Sequence, residues 1–289
     1  MYFKQILDQI GYAANDTTLT STGTNAARTK SWVQEFYFLD LVPRRNWSWA
    51  LKQDTFTTTS GTQRYNLPRW VDNPTKVTYI TCSSNNQPIA RTEPKDVAGQ
   101  YSTTVYNTPE AYSIGPRVRT SYSTGTVSGT SGAKTLTGSS TAWLTSGIAQ
   151  FDYIQVGSYA YTVDSVDSDT SITLFENIIT TISAATTYTA IKDRWTVDLY
   201  AIPDATYTMT VNAYQIVPKL DDDSDIPILP DNWHHILVKA GVVRALEHNN
   251  DDATVERADL ELAIRRLTSE DMKNNDGLES VSIPRSRSY

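Results

Sequence analysis

The spacing of apolar residues predicts a short helix at the start of the chain. Apolar side chains recur every three or four residues at Phe3, Ile6, Leu7 and Ile10, which is the period of one helix face. Gly11 is expected to end this helix, because glycine is common just beyond the last helical residue.

A second helix is predicted from Ala26 to Leu41, where large apolar side chains cover one broad face. Thr24 or Asn25 is expected to cap its first turn, and Pro43 is expected to stop it. The apolar face consists of Trp32, Val33, Phe36, Tyr37 and Leu39.

The C-terminal part of the chain predicts two consecutive helices. Asp231 is expected to cap a helix from His234 to Glu247, which the polar run of residues 249–252 breaks. A second helix is expected from Ala253 to Ser269, and the short connection predicts that the two pack as an αα-hairpin. Their apolar stripes are Ile236, Leu237, Ala240, Val243 and Leu246, and Val255, Leu260, Ala263, Ile264 and Leu267.

Alternating apolar and polar residues predict strands in the middle of the chain. The expected strands are residues 54–59, 62–67, 76–82, 111–119, 195–200 and 207–214. The first two are expected to form a β-hairpin around Ser60 and Gly61, and the last two a second hairpin through residues 202–205.

The composition and the residue pattern of the chain change between residues 122 and 192. This block is rich in Thr, Ser and Gly and has no helical period. Its turn signals fall about every 8 to 12 residues, which is typical of a small β-sandwich or barrel. We therefore interpret residues 122–192 as a separate domain inserted into a larger one.

These patterns together predict an α+β protein. Its helical core would combine N-terminal helices within residues 1–42 with a C-terminal αα-hairpin within residues 232–269, beside an antiparallel β-domain. The predicted parts are a core of residues 1–121 and 193–273, an inserted β-domain of residues 122–192 and an extended tail of residues 274–289.

The composition limits the classes of function. The formal net charge of −7 argues against general nucleic-acid binding. Apolar runs are short, as at residues 236–238, and the first residues lack the features of a signal peptide, so neither a membrane span nor an export signal is expected. The single cysteine, Cys82, excludes an intrachain disulfide and is interpreted as a half-buried strand residue.

The sequence contains no constellation typical of catalysis, and no catalytic residue, cofactor or metal site is predicted. His234 and His235 are adjacent, so on a helix they point about 100° apart and are interpreted as polar helix-start residues. Residues 221–225 resemble the opening of a calcium loop but lack its central Gly and closing Glu. A solvated acidic turn is preferred there, with an adventitious calcium ion as the alternative.

Arginines precede two tryptophans after the second predicted helix. Arg44 and Arg45 beside Trp47 and Trp49 are residue types that also bind nucleic acid or glycans by stacking. The interpretation preferred here is that they anchor the end of the second helix against the sheet.

Three stretches of the chain, in order, carry a family resemblance. They are the aromatic helix with residues 46–51, 55–58 and 65–68; residues 195–200 with 207–214; and residues 222–234 with the helix that contains Ala240, Arg244 and residues 245–247. These stretches cover most of residues 1–121 and 193–273. They resemble the head-to-tail adaptor (connector, or head completion) proteins of tailed bacteriophages.

The resemblance implies a structural, non-enzymatic role in virion assembly. Adaptor subunits form a ring, typically a dodecamer, below the portal, where they extend the DNA channel and dock tail or nozzle proteins. Genomic DNA would pass through the lumen without specific binding, and the protein would lie in the virion neck after assembly in the host cytoplasm. Residues 122–192 depart from the family pattern and resemble the small immunoglobulin-like domains of phage surfaces.

The resemblance also implies roles for particular residues. In related adaptors helices build the ring and a C-terminal tail reaches the portal. Portal contact is therefore expected from Ile283, Pro284, Arg285, Arg287 and Tyr289. Ring or core packing is expected from Trp32, Phe36, Trp47, Trp49, Trp233, Leu237, Leu260 and Ile264.

Two functions from other classes remain as alternatives. The Tyr-, Trp- and Thr-rich inserted block suggests a glycan- or receptor-binding tail module. A hydrolase would need paired carboxylates, for which Asp152, Asp164, Asp167 and Asp169 are the candidates, although the sequence does not determine their separation. The αα-hairpin and the tail favour the adaptor, because glycan-binding modules need neither.

Overall fold

The computed structural model describes residues 1–71, 73–93 and 105–275. The chain divides into two compact units, one formed by Met1–Leu51 with the chain from Ile216 onward and the other by Lys52–Gln215. The first unit is helical and the second consists mainly of strands, so the predicted α+β class is confirmed at this level. The predicted division into a core, an inserted domain and a tail stays a prediction.

The first helix, α1 (Phe3–Ala13), buries the predicted apolar face completely. The expectation that Gly11 ends it is wrong, since the helix continues to Ala13. A Cβ at Gly11 would lie 2.5 Å from the Cγ2 atom of Thr20, so the glycine permits close packing inside the helix instead.

The second predicted helix changes its winding partway. The α-helix α2 (Ala26–Glu35) passes into a π-helical turn over Phe36–Leu41 and a 3₁₀ turn over Val42–Arg44. Leu39, expected on the apolar face, is 73% exposed. Asn25 occupies the N-cap position, but its amide donates to the Thr18 hydroxyl at 3.0 Å and does not cap the helix.

The predicted αα-hairpin is present as α3 (His235–His248) and α4 (Thr254–Asn275), and α4 extends beyond its expected end. The expected N-cap is wrong, because Asp231 begins a 3₁₀ turn that precedes α3. Two ion pairs join the helices: Lys239 to Asp259 at 2.9 Å, and Arg257 to Glu247.

The described residues of the β-unit form a four-stranded and a ten-stranded sheet. The strands are β1 (Leu51–Thr57), β2 (Arg64–Asn66), β3 (Val77–Cys82), β4 (Gln87–Pro88), β5 (Ala90–Arg91), β6 (Ala111–Tyr122), β7 (Thr126–Gly129), β8 (Thr135–Ser139), β9 (Tyr153–Val156), β10 (Tyr159–Ser168), β11 (Ser171–Leu174), β12 (Ile182–Thr186), β13 (Thr189–Tyr200) and β14 (Thr208–Tyr214). The small sheet has the order β1-β14-β3-β4. The large sheet has the order β12-β7-β8-β11-β10-β9-β13-β6-β5, with β2 also paired to β13.

Both predicted β-hairpins are wrong, although their strands exist. β1 pairs with β14 whereas β2 pairs with β13, so the chain around Ser60 and Gly61 leads from one sheet to the other. Likewise β13 pairs with β6 and β14 with β3. Alternation of side chains specifies the faces of a strand but not its neighbour, so longer-range partners decide the pairing.

The strands β6 and β13 form a long antiparallel ribbon. Their register runs from Tyr122 opposite Ala190 to Ala111 opposite Tyr200, with one irregularity between Trp195 and Val197. Residues 122–192, which we call the block, connect the two strands at the end of this ribbon. β9 of the block also pairs with β13, which makes the block continuous with the large sheet.

The block has an apolar core of its own. Its buried cluster consists entirely of residues within 127–190, and Trp143 in this cluster is fully buried. The Trp143 indole Nε1 donates to the Tyr188 hydroxyl at 2.8 Å, and burial raises the pKa of Tyr188 to about 12. Cys82, expected to be half-buried, is completely buried on β3 of the smaller sheet.

Candidate assembly surfaces

The segment that follows α2 docks on helix α4. Trp47 is buried, and its indole Nε1 donates to the Leu41 carbonyl at 3.0 Å. The Trp49 ring stacks on that of Trp47 with centroids 5.7 Å apart. The backbone N–H and the hydroxyl of Ser48 both donate to the Asp271 carboxylate, at 2.9 and 2.5 Å.

Two arginines strengthen the same junction. The Arg45 Nε atom lies 3.3 Å from an Asp271 oxygen, and its guanidinium group lies 5.7 Å from the Trp47 ring centroid. Arg44 pairs with Glu261 at 3.3 Å. The anchor of this segment is therefore helix α4, where the sequence interpretation placed a sheet.

The residues predicted for ring or core packing fall into two groups. Five of them are buried: Phe36, Trp47, Leu237, Leu260 and Ile264. The other three are half-buried: Trp32, Trp49 and Trp233. The buried group packs within the helical unit, so Trp32, Trp49 and Trp233 are the members of this set that reach the surface. Their part in ring contacts stays a prediction.

The α3–α4 hairpin carries two grooves. One of about 230 Å³ lies beside Trp233, whose ring stacks on His235 at 5.5 Å, and includes Leu262, which is 46% exposed. The other, of about 520 Å³, lies at the connection between the helices and is lined by Asp251 and Asp252. The hairpin therefore offers both an aromatic and an acidic concave surface.

His234 and His235 have different surroundings. His235 is exposed, whereas His234 is completely buried and its Nε2 lies 2.7 Å from the Leu229 carbonyl. Burial lowers the pKa of His234, so the ring is neutral at physiological pH. Both histidines lie at the start of the helix as expected, with His234 at the N-cap position of α3 and His235 as its first residue. Within the described ranges, no group of three or more His, Cys, Asp or Glu side chains is arranged to hold a metal ion.

The acidic run of residues 221–225 forms hydrogen bonds within itself and with the start of α1. One Asp225 oxygen accepts the backbone N–H groups of Asp221 and Asp222 at 2.6 and 2.7 Å. The Asp225 carbonyl accepts the Phe3 N–H at 2.8 Å, which satisfies an otherwise unpaired donor at the start of a helix. The run is therefore a structured connection and not merely a solvated turn.

A buried carboxylate joins the block to the strands outside it. Asp152 is 0% exposed and forms a bidentate ion pair with Arg194 of β13. The Arg194 Nη2 atom lies 2.5 Å from the Asp152 Oδ2 atom. Asp152 also accepts the Ala149 N–H at 2.9 Å and lies 3.8 Å from Nε of Arg69, which follows β2. We call Asp152, Arg194 and Arg69 the ionic clamp. Sequence reasoning considered Asp152 only as a catalytic candidate.

The other three hydrolase candidates have separate partners. Asp164 accepts from Gln150 at 3.2 Å, and Asp167 accepts from the Ser165 hydroxyl at 2.8 Å. Hydrogen bonds from Thr145 lower the pKa of Asp169, which is the opposite of what a general acid requires. The hydrogen bonds of these residues thus support turns and strands.

The aromatic residues of the block are mostly used in its core. Trp143, Tyr161 and Tyr188 are buried, which removes them from any stacking platform for a glycan. Tyr153 and Tyr159 remain 39% and 37% exposed on adjacent strands. The composition that suggested a glycan-binding module is therefore largely explained by packing.

The tail residues lie outside the described part of the chain. Ile283, Pro284, Arg285, Arg287 and Tyr289 all follow Asn275, so their contact with a portal stays a prediction. Among the helices that are described, none has the length and apolar character to cross a bilayer.

The charged and aromatic clusters described above pair and pack within the chain. Residues 117–280 match the family model of the SU10 adaptor protein, from β6 through the block to the helical hairpin. Because the match covers more than half of the chain, the protein belongs to the SU10 adaptor protein family. It is thus a phage structural adaptor and virion component that interacts with other head and tail proteins, and membership favours a structural over a catalytic role. No curated protein matches the chain significantly.

Proposed function

We propose that this chain is a head-to-tail adaptor whose copies form a ring, with a dodecamer as the expected size, below the portal. The ring extends the DNA channel and docks tail or nozzle proteins. The observation that carries this proposal is the family match over residues 117–280, which includes the second half of β6, all of β13 and the α3–α4 hairpin.

The helical unit supplies surfaces suited to ring contacts. Leu39, Val255 and Met272 are 73%, 72% and 53% exposed, and Leu262 lines the groove beside Trp233. Each large aliphatic side chain gains about 1.5 to 3 kcal/mol when it is fully buried. Contacts between the two sides of one subunit and its neighbours would bury these groups in a closed ring.

The charge of the chain supports a passive DNA duct. With a formal net charge of −7, the protein has no general basic footprint that would hold phosphates. DNA then passes through the lumen without specific binding, in the virion neck, after assembly in the host cytoplasm.

The last residues of the chain are the proposed portal contact. Ile283 and Tyr289 offer apolar groups, and Arg285 and Arg287 offer charge-assisted hydrogen bonds. Ordering costs about 1 kcal/mol or more per residue, so a single tail binds weakly. Many tails in one ring bind tightly through effective concentration.

Truncation after Asn275 tests the portal contact. The shortened chain is expected to keep the melting temperature of the full chain and to lose attachment to portal rings in a co-sedimentation assay. A matched full-length variant, Arg285→Ala with Arg287→Ala, is expected to weaken attachment less. If the truncated chain binds portal at full occupancy, the tail is not the anchor.

A further inference from the structure

Helix α4 carries an exposed stripe on the side opposite its buried face. The buried face consists of Leu260, Ala263, Ile264 and Leu267. On the opposite side, the residues that follow one another in steps of three and four are all exposed: Val255, Ala258, Leu262, Arg265, Ser269 and Met272. Alternating steps of three and four are the spacing of the contact positions in a coiled coil. These six residues, which we call the α4 stripe, thus have the spacing of a helix–helix contact.

The α4 stripe has the side chains that such a contact needs. Val255, Leu262 and Met272 are large, apolar and exposed, so their burial against another helix would be favourable. Ala258 and Ser269 lie between them and leave room for a second helix, because their side chains are small. The groove beside Trp233 adjoins Leu262 and adds aromatic surface to the same side of the helix.

The charges in and beside the α4 stripe favour an antiparallel second copy of α4. In a parallel pair, each stripe residue lies beside its own copy, so Arg265 would meet Arg265. In an antiparallel pair the contact positions alternate between the two helices. Val255 then lies opposite Met272 of the other copy, Ala258 opposite Ser269, and Leu262 opposite the stem of Arg265. Opposed helix dipoles also favour this direction.

The flanking residues are complementary in the same antiparallel register. Asp259 and Arg266 lie seven residues apart on one side of the α4 stripe and both line the groove beside Trp233. In the antiparallel pair, Asp259 of each copy lies next to Arg266 of the other, which gives two contacts between opposite charges. The α4 stripe thus matches itself in one register: apolar with apolar, small with small and acidic with basic.

We propose that two copies of the free chain pair through the α4 stripe in an antiparallel, two-fold contact. The contact goes beyond the proposed function and does not rest on it, since a two-fold contact closes on two copies whereas a ring needs contacts between different surfaces. The 22 residues of α4 extend over about 33 Å. One helix pair of this length is a small interface, so the dimer is weak and contacts in a ring can replace it.

Disulfide cross-linking of the full chain tests the register. Cys82 is completely buried and therefore gives little background. A mixture of Val255→Cys chains with Met272→Cys chains is expected to form a covalent dimer under mild oxidation. Each variant alone is expected to form about tenfold less dimer or lower still, because the two copies of the cysteine would lie about 25 Å apart along the helix axis, beyond disulfide reach. Equal cross-linking of Val255→Cys alone would overturn the antiparallel register.

Sedimentation equilibrium of the full chain tests the strength of the contact. Leu262→Glu places a charge in the middle of the α4 stripe and is expected to weaken dimerisation about tenfold or more. Leu39→Glu is the matched control, because Leu39 is exposed outside α4, and it should leave dimerisation unchanged. Asp259→Arg should also weaken the dimer, and the addition of Arg266→Asp should restore it. Melting temperatures of all variants verify that they fold.

Three results would overturn the inference. The first is a chain that stays monomeric at millimolar concentration, and the second is a dimer that Leu262→Glu does not weaken. The third comes from truncation after Asn275, which is expected to leave dimerisation unchanged. A stronger dimer of the truncated chain would mean that the last residues of the chain, and not a second copy, occupy the α4 stripe. A ring that forms on the portal although the free chain does not dimerise would count against this inference alone.

Discussion

The core of the block and its base are held together by different interactions. Above the ribbon, apolar side chains from residues 127–190 close around Trp143. At the base, β9 pairs with β13, and the ionic clamp joins Asp152 to Arg194 of β13 and to Arg69, which follows β2. The core of the block is thus apolar, whereas its base is joined to the ribbon by main-chain pairing and by buried charges.

The largest expected effect is on the core. Trp143→Ala removes a fully buried side chain and leaves the Tyr188 hydroxyl without its indole partner. We expect a loss of about 3 to 5 kcal/mol in the free energy of unfolding. Denaturant unfolding followed by circular dichroism measures it, and a loss below 1 kcal/mol would show that the block does not depend on this core.

The second largest effect on stability is expected from loss of the ionic clamp. Asp152→Ala leaves Arg194 buried without its carboxylate. We expect it to lower the free energy of unfolding by about 3 to 5 kcal/mol, with the smaller loss if water reaches the Arg194 guanidinium group. Asp164→Ala, which loses one hydrogen bond to Gln150, is the matched control and should cost about 1 kcal/mol or less. Amide exchange should rise at residues 189–194 in the first variant only. Equal effects of the two substitutions would argue against a clamp.

Removal of the block tests the same comparison between its apolar core and its charged base. Tyr122 and Ala190 are paired, so a short Gly-containing turn can close the ribbon after residues 123–188 are removed. The shortened chain should fold, but with Arg69 and Arg194 deprived of Asp152. Arg69→Met and Arg194→Met should therefore destabilise the shortened chain less than they destabilise the full chain, in which they break the pair with Asp152. Equal losses in the two chains would mean that these arginines do not depend on the block.

The sequence predicted the helices better than the sheet, for a physical reason. The apolar period of Phe3, Ile6 and Ile10 is a local property, and these side chains are buried as expected. The pairing of β13 with β6 depends on residues far apart in the chain, and alternation carries no information about the neighbour. The π-helical turn after Glu35 was also missed, because the apolar pattern continues through it.

The contacts at the candidate surfaces were even harder to predict from the sequence than the strand pairing. Arg194 and Asp152 are 42 residues apart, and no spacing rule connects them. The signal available was the presence of Asp193 and Arg194 within a strand rich in apolar residues, where charged side chains need partners. The role of Asp225 in closing on α1 likewise follows from tertiary contacts and not from the acidic composition of its loop.

The smallest expected effect is a pH dependence within the block. Hydrogen bonds from Thr145 lower the pKa of Asp169 in the folded state. Their stabilisation is therefore present above the unfolded pKa of about 3.9 and is lost as the pH falls through the lower folded value. Asp169→Asn should slightly lower the melting temperature at pH 7 and reduce the additional loss below pH 4. Unchanged acid sensitivity in a melting series would contradict this role.

In the proposed function, copies of this phage adaptor form a ring on a portal. The most direct measurement is the mass of the chain by light scattering, alone and after mixing with purified portal rings. We expect a complex that contains one closed ring of the chain per portal, with a dodecamer as the expected stoichiometry. A chain that stays monomeric at all concentrations and does not change the mass of the portal would contradict the account.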